Sequence, residues 1–192
     1  MGLFDRLANL LGLRKKEVNV LVVGLNNSGK STVINNFKRE DDRCIDIVPT
    51  VGFNVEKFAY KFFNLSIGVL DNILFMSIDT GITHFPSLPF PSLTRICTAS
   101  DKLRLVVVKE ELDMLLQHPD VAGRKIPILF LANKMDLPDS LTTVKLVAGL
   151  GLERIQNKPW HIRATNALTG EGLQPAIEWL TDQIRDIYIN KR

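Results

Sequence analysis

The sequence predicts an α/β domain with a doubly wound, mostly parallel sheet, on the strength of three observations. Short apolar runs alternate with amphipathic segments along the chain. The first run, Val18 to Val23, leads straight into a glycine-rich turn, Gly24-Leu25-Asn26-Asn27-Ser28-Gly29-Lys30-Ser31. A later run, Ile126 to Ala132, ends in Asn133-Lys134-Met135-Asp136. Ligands of open parallel sheets gather beyond the carboxyl ends of strands, so both polar stretches stand where a ligand is held.

Each element has its own justification. Lys30 to Lys38 suits a helix that starts where the glycine turn ends, and Arg39 to Val48 is charged and turn-like. Val51 to Lys57 and Phe62 to Leu70 read as a β-hairpin pair. Lys102 to His118 carries Leu105, Leu112, Leu115 and Leu116 on a helical stripe with charge opposite. Ile126 to Ala132 is a buried strand, Val144 to Leu150 a short helix and Trp160 to Ala164 the last strand. Leu173, Ile177, Leu180, Ile184 and Ile187 mark a long terminal helix with one apolar face. At the other end, Leu3, Phe4, Leu7, Leu10 and Leu11 recur at helical spacing, ending near Gly12 before the basic cluster Arg14-Lys15-Lys16. That helix either docks on the domain or lies in a membrane interface.

Composition excludes several classes. At 192 residues and 45% hydrophobic, the chain fills one domain with a two-sided core. A net charge of +3 with dispersed basic residues argues against a nucleic-acid partner. Cys44 and Cys97 form neither a disulfide framework nor a metal spacing, which points to a reducing, cytoplasmic setting. His84, His118 and His161 share no spacing with other ligand types, so no zinc site is expected. No apolar stretch reaches the ~20 residues that span a bilayer, and the N-terminus lacks a secretory cleavage region.

The two polar turns carry chemistry. G-x-x-x-x-G-K-[ST] after a strand and before a helix is a phosphate-binding loop. Its glycines let successive N–H groups face phosphate oxygens, and the partial positive charge at the helix start adds to the attraction. Lys30 would reach the β- and γ-phosphates, and the Ser31 hydroxyl would ligate Mg²⁺. A glycine turn that binds nothing is the plain alternative. In N-K-x-D, the Asp136 carboxylate can accept guanine N1–H and N2–H₂, which adenine cannot reciprocate. Asn133 can tie this turn to the phosphate loop, and the Lys134 stem can cover the base. Together the motifs read as a site for GTP or GDP.

These residues resemble the Ras-type small GTPases, and in detail the ADP-ribosylation factor family. The similarity includes Gly2 and its helix, Gly24 to Ser31, Pro49-Thr50-Val51-Gly52-Phe53, Asn133 to Asp136, and Ala164-Thr165. It covers residues 1–71 and about 99–185. The resemblance implies the P-loop NTPase, small G-protein fold in residues 15–192, preceded by a membrane-binding helix in residues 1–14. It implies a switch that binds GTP, GDP and Mg²⁺ through Gly24, Leu25, Asn26, Asn27, Ser28, Gly29, Lys30, Ser31, Thr32, Thr50, Asn133, Lys134, Asp136, Ala164 and Thr165. Ser31 and Thr50 would hold the metal; Ala164 and Thr165 would present the backbone N–H that reads guanine O6. Gly2 is the lipidation candidate, although Arg6 stands where the myristoylation motif carries serine or threonine. The resemblance further implies an exchange factor, a GTPase-activating protein and a coat-type effector, the BBSome, at a ciliary or basal-body membrane. The protein would be a monomer, cytoplasmic and peripherally attached.

After Asp71 the family's D-x-x-G-Q pattern breaks, with Leu74 at the glycine position and Phe75 at the catalytic glutamine position. Phe75 cannot orient a water, so very slow hydrolysis is expected and no catalytic residue is assigned. A nucleotide-binding module, or a defective isoform without γ-phosphate sensing, is the rival reading. Pro86, Pro89 and Pro91 argue against the helix and strand the family places in this stretch. Ile73 to Ile78 is the preferred candidate for the missing central strand, Leu93 to Ala99 the weaker one because Thr94, Arg95 and Thr98 interrupt it. Low order is expected across residues 80–93.

Overall fold

The computed structural model describes residues 16–38, 40–46, 53–60, 63–70, 92–99 and 103–188. The helix expected in residues 1–14 with Gly2, the expected switch residue Thr50, and Asp71, Leu74 and Phe75 lie outside the described residues. Strand β1 (Lys16–Val23) is followed by helix α1 (Lys30–Phe37), a 3-10 turn (Glu40–Asp42) and strands β2 (Phe53–Tyr60) and β3 (Phe63–Leu70). Then come β4 (Ser92–Thr98), α2 (Leu105–Gln117), the single turn α3 (Pro119–Ala122) and β5 (Ile128–Asn133). Helix α4 (Thr143–Leu150), a 3-10 turn (Leu152–Arg154), β6 (Trp160–Thr165) and α5 (Leu173–Tyr188) complete the chain.

The six strands form one sheet in the order β2-β3-β1-β4-β5-β6. Every neighbouring pair is parallel except β2 and β3, which form an antiparallel hairpin at one edge. Side chains alternate across a strand, and the two cores follow from that period. Val20 and Val22 of β1, Ile96 of β4 and Leu129 and Leu131 of β5 pack beneath α1 and α5. Leu21, Val23, Cys97, Ile128 and Phe130 face the other way, beneath α2 and α4. Continuous apolar runs thus bury both faces of the same strand, as expected when helices cover both sides of a parallel sheet.

The helix ends follow local chemistry. The Thr142 hydroxyl accepts from the Lys145 N–H at 3.4 Å to cap α4. At its other end Gly151, with φ of 67°, turns left-handed and returns its N–H to the Ala148 and Val147 carbonyls. The Lys158 ammonium donates to the carbonyls of Val121, Ala122 and Arg124 at 2.7, 3.0 and 2.6 Å, so a cation closes the end of α3. Partial desolvation there lowers the Lys158 pKa.

The central strand differs from the sequence expectation. The slot between β1 and β5 is filled by Ser92–Thr98, the candidate that had ranked second, and not by Ile73–Ile78. Residues 92 and 93, expected to have low order, belong to this strand; residues 80–91 lie outside the described residues. The charged interruption is absorbed by pairing. Arg95 is fully buried and donates from Nη2 to the Glu111 carboxylate at 2.7 Å and to the Val108 carbonyl at 3.1 Å. Helix α2 therefore brings the charge that β4 requires. Arg95 Nε and Nη1 are buried without hydrogen-bond partners among the described residues. Burial pushes the Cys97 thiol pKa up, with the nearby Arg95 guanidinium opposing it.

Candidate functional site

Strand register builds the site. Thr98 of β4 lies opposite Asn133 of β5, which lies opposite Thr165 of β6, so three strands end in one row. β1 stops earlier, with Val23 opposite Arg95, which leaves its following turn beside the upper part of β4. A Cβ on Gly24 would overlap the Ile96 carbonyl oxygen, so only glycine lets the turn lie this close to the central strand.

The turn from Gly24 to Ser31 has the shape its sequence demands. The Ser28 N–H donates back to the Leu25 carbonyl at 3.1 Å. Asn27 is left-handed at φ 62° and Gly29 at φ 93°, immediately before α1 begins at Lys30. The Lys30 ammonium, buried, curls inside the loop and donates to the Gly24 and Leu25 carbonyls, both at 2.9 Å. The Ser28 hydroxyl is buried with no partner among the described residues. A buried cation, an orphaned hydroxyl and a loop held open by glycines suit a di- or triphosphate. The residues present therefore fit the group: Lys30 with the loop amides would hold phosphate, and the Ser31 hydroxyl its Mg²⁺. Thr50, the second expected metal ligand, lies outside the described residues. Leu25 is half-buried, Asn26 exposed, and Thr32 continues α1, its carbonyl accepting from Asn36 Nδ2 at 3.2 Å.

The second motif joins the first directly. Asn133 is buried, and its Nδ2 donates to the Ser28 carbonyl at 2.8 Å. Its Oδ1 accepts the Ala167 N–H at 3.0 Å and faces the Thr165 hydroxyl at 3.4 Å. Lys134, left-handed at φ 62°, sends its ammonium to Asn27 Oδ1 at 3.2 Å, so its stem runs along the phosphate loop. The Ser140 hydroxyl donates to the Lys134 carbonyl at 2.8 Å and steadies the turn. Asp136 is exposed, with no hydrogen-bond partner among the described residues. Ala164 and Thr165 end β6, and Thr165 accepts the Met135 N–H at 3.3 Å. All the described candidate residues thus meet at one end of the sheet.

Several participants escaped the sequence reading. Asn166 caps the loop after β6 by accepting the Leu168 N–H at 2.9 Å, and Ala167 is held at both its N–H and its carbonyl. Asn-x-x-x-Gly-x-Gly after a strand was the available turn signal. Gly172, at φ 76°, approaches so closely that a Cβ would overlap the Ala164 carbonyl oxygen. Asn36 gave no signal, because a half-buried asparagine in a helix announces no partner.

The model of the ADP-ribosylation factor family matches residues 4–71 and 92–184. The chain belongs to the ADP-ribosylation factor family. Family members are small GTPases, so this one is a GTP hydrolase by family, with GTP or GDP and Mg²⁺ as cofactors and exchange factors, activating proteins and effectors as partners. The family match resumes at Ser92, which narrows the sequence departure to residues 72–91 and assigns β4 to the family pattern. ADP-ribosylation factor-like protein 6 of Danio rerio is 50% identical over 96% of this chain and 98% of its own length. The proteins of that name from Caenorhabditis briggsae and Caenorhabditis elegans are 41% and 40% identical, over 96% and 100% of the chain and of their own lengths. The structure of the Arl6 BBS3 small GTPase from Trypanosoma brucei, with the nucleotide analogue GppNp bound, superposes with a TM-score of 0.77 at 31% identity. That alignment covers 89% of this family member and 99% of the trypanosome chain. Among the described residues no helix is long and apolar enough to cross a membrane.

Proposed function

We propose that this small GTPase is a trafficking switch that recruits a coat-type effector, the BBSome, to a ciliary or related membrane when GTP is bound. The observation that carries the nucleotide part is the Asn133–Ser28 hydrogen bond, which locks the base-reading turn to the phosphate loop. In this reading Gly24 to Thr32 and Thr50 hold the phosphates and Mg²⁺, Asn133, Lys134 and Asp136 read and cover guanine, and Ala164 and Thr165 meet its O6. An acyl chain on Gly2 would supply one membrane signal, and the helix in residues 1–14 with Arg14-Lys15-Lys16 the second. The identity to ADP-ribosylation factor-like protein 6 from three animals supports the GTP-binding switch. The test is capture of purified BBSome on liposomes by the acylated chain loaded with GTP or GDP. Capture only with GTP supports the switch.

A second reading is favoured by Leu74 and Phe75, which replace the γ-phosphate sensor and the water-orienting glutamine. It makes the chain a nucleotide-binding module that binds partners without regard to the third phosphate. Equal affinity for GTP and GDP, with capture in both states and no phosphate release, selects this reading over the switch.

A further inference from the structure

Asn36 sits on α1, five residues beyond Ser31. Its Nδ2 carries two hydrogens; one goes to the Thr32 carbonyl of its own helix and the other to the Ala167 carbonyl of the loop after β6, across the domain. Ala167 is buried, and its N–H is the one that Asn133 Oδ1 accepts. Asn133 in turn donates to Ser28, whose loop runs directly into α1. The hydrogen bonds therefore close a ring: phosphate loop, Asn133, Ala167, Asn36, and back along α1. Gly170 lies below, left-handed at φ 82°, where a Cβ would come within 3.1 Å of Asn36 Oδ1. The Asn36 carbonyl accepts from Arg43 at 3.1 Å, which fixes the end of the helix that carries it.

We infer that Asn36 is a positioning residue for guanine specificity: by holding the Ala167 carbonyl it sets the loop that follows Ala164 and Thr165 against the base. This rests on the nucleotide reading above. Asn133 restrains only one side of Ala167. Without the Asn36 donor, the Ala167 carbonyl loses its tie to α1, and the backbone group facing guanine O6 loses one restraint on its distance. The Asp136 contacts to N1–H and N2–H₂, on a different turn, are left intact.

The experiment measures GDP, 6-thio-GDP and IDP affinity of the full chain with Mg²⁺, for wild type, Asn36→Asp, Asn36→Ala and Asn36→Gln. Asn36→Asp keeps shape and packing but turns the donor into an acceptor facing a carbonyl. Loss of one hydrogen bond predicts about 3- to 10-fold weaker GDP binding for the alanine variant, and more for aspartate. IDP, which keeps O6, weakens by the same factor; 6-thio-GDP, whose sulfur is already a poor acceptor, weakens less. Glutamine, which retains the donor, restores at least half the lost affinity. Amide hydrogen exchange at Leu168 to Gly170 without nucleotide reads the ring independently, and it accelerates in the aspartate variant. Equal affinities for wild type and Asn36→Asp, or unchanged exchange at those amides, overturn the inference. A wild-type chain that binds no GDP while exchange still responds to Asn36→Asp overturns the nucleotide reading and with it the specificity role.

Discussion

Asn133 and Asp136 stand in one turn yet live in different surroundings, and that difference fixes what each substitution does. Asn133 is buried and fully used in joining loops, whereas Asp136 is exposed with its carboxylate available to a ligand. Asp136→Asn replaces an acceptor by a group that can donate, so the two contacts to guanine N1–H and N2–H₂ fail together. At about 1.5–3 kcal/mol for each hydrogen bond to a charged group, GDP affinity drops about a hundredfold or more while the fold is unchanged. Isothermal titration with GDP and XDP checks this, because a 2-oxo base presents an acceptor to the new amide. His161 makes a pH argument at the same scale. It stacks on Trp179 with ring centroids 5.2 Å apart, and desolvation, then the Arg163 charge, lowers its pKa below 6.5. The unfolded chain binds that proton first, so stability is full above pH 6.5 and falls as the pH drops toward the folded value. Urea midpoints from pH 7.5 to 5 should fall less steeply in His161→Phe than in wild type, since phenylalanine keeps the stack and removes the proton.

At the scale of elements, β4 and α2 form one unit through Arg95 and Glu111. Glu111→Leu leaves a guanidinium buried without its partner and should cost about 3–5 kcal/mol. Arg95→Met combined with Glu111→Leu should be neutral or stabilising by about 1–4 kcal/mol, because two desolvated charges vanish together. Chemical denaturation of both variants measures the sign. This pair also marks what the sequence left obscure. The alternation of apolar runs and amphipathic stripes was enough to read β1, β5, α2 and α5, because β1 and β5 are continuous apolar runs and α2 and α5 carry leucines and isoleucines at helical spacing. β4 was misjudged, because Thr94, Arg95 and Thr98 disrupt its pattern. The compensating charge lies on a helix sixteen residues away, beyond any local window. The phosphate loop and N-K-x-D were legible because their chemistry demands fixed residue types at fixed spacing. Asn36 and Ala167 were not, since they serve through backbone and amide contacts that many residues could make. The loop after β6 showed its glycines, and only the fold revealed that Gly172 permits a close passage by Ala164.

For the molecule as a whole, nucleotide binding and folding are linked. A ligand that binds only the folded chain stabilises it by about 2.7 kcal/mol at a hundred times its Kd. For a domain of this size that raises Tm by about 5–10 °C. Differential scanning fluorimetry with Mg²⁺–GDP should show this shift, and an unmoved transition in a folded sample would sink the nucleotide site. The same central strand that reports on stability also governs how the domain assembles. β2, β3 and β1 lie on one side of it, β5 and β6 on the other, and among the described residues no strand of one half pairs with a strand of the other except through β4. An unpaired guanidinium in the middle of a sheet is costly, so the Arg95–Glu111 encounter is expected before or while the strand inserts. Joining the two halves is therefore expected to wait on α2. In stopped-flow experiments, Glu111→Gln should slow refolding more than it hastens unfolding, because the encounter it weakens belongs to the barrier itself.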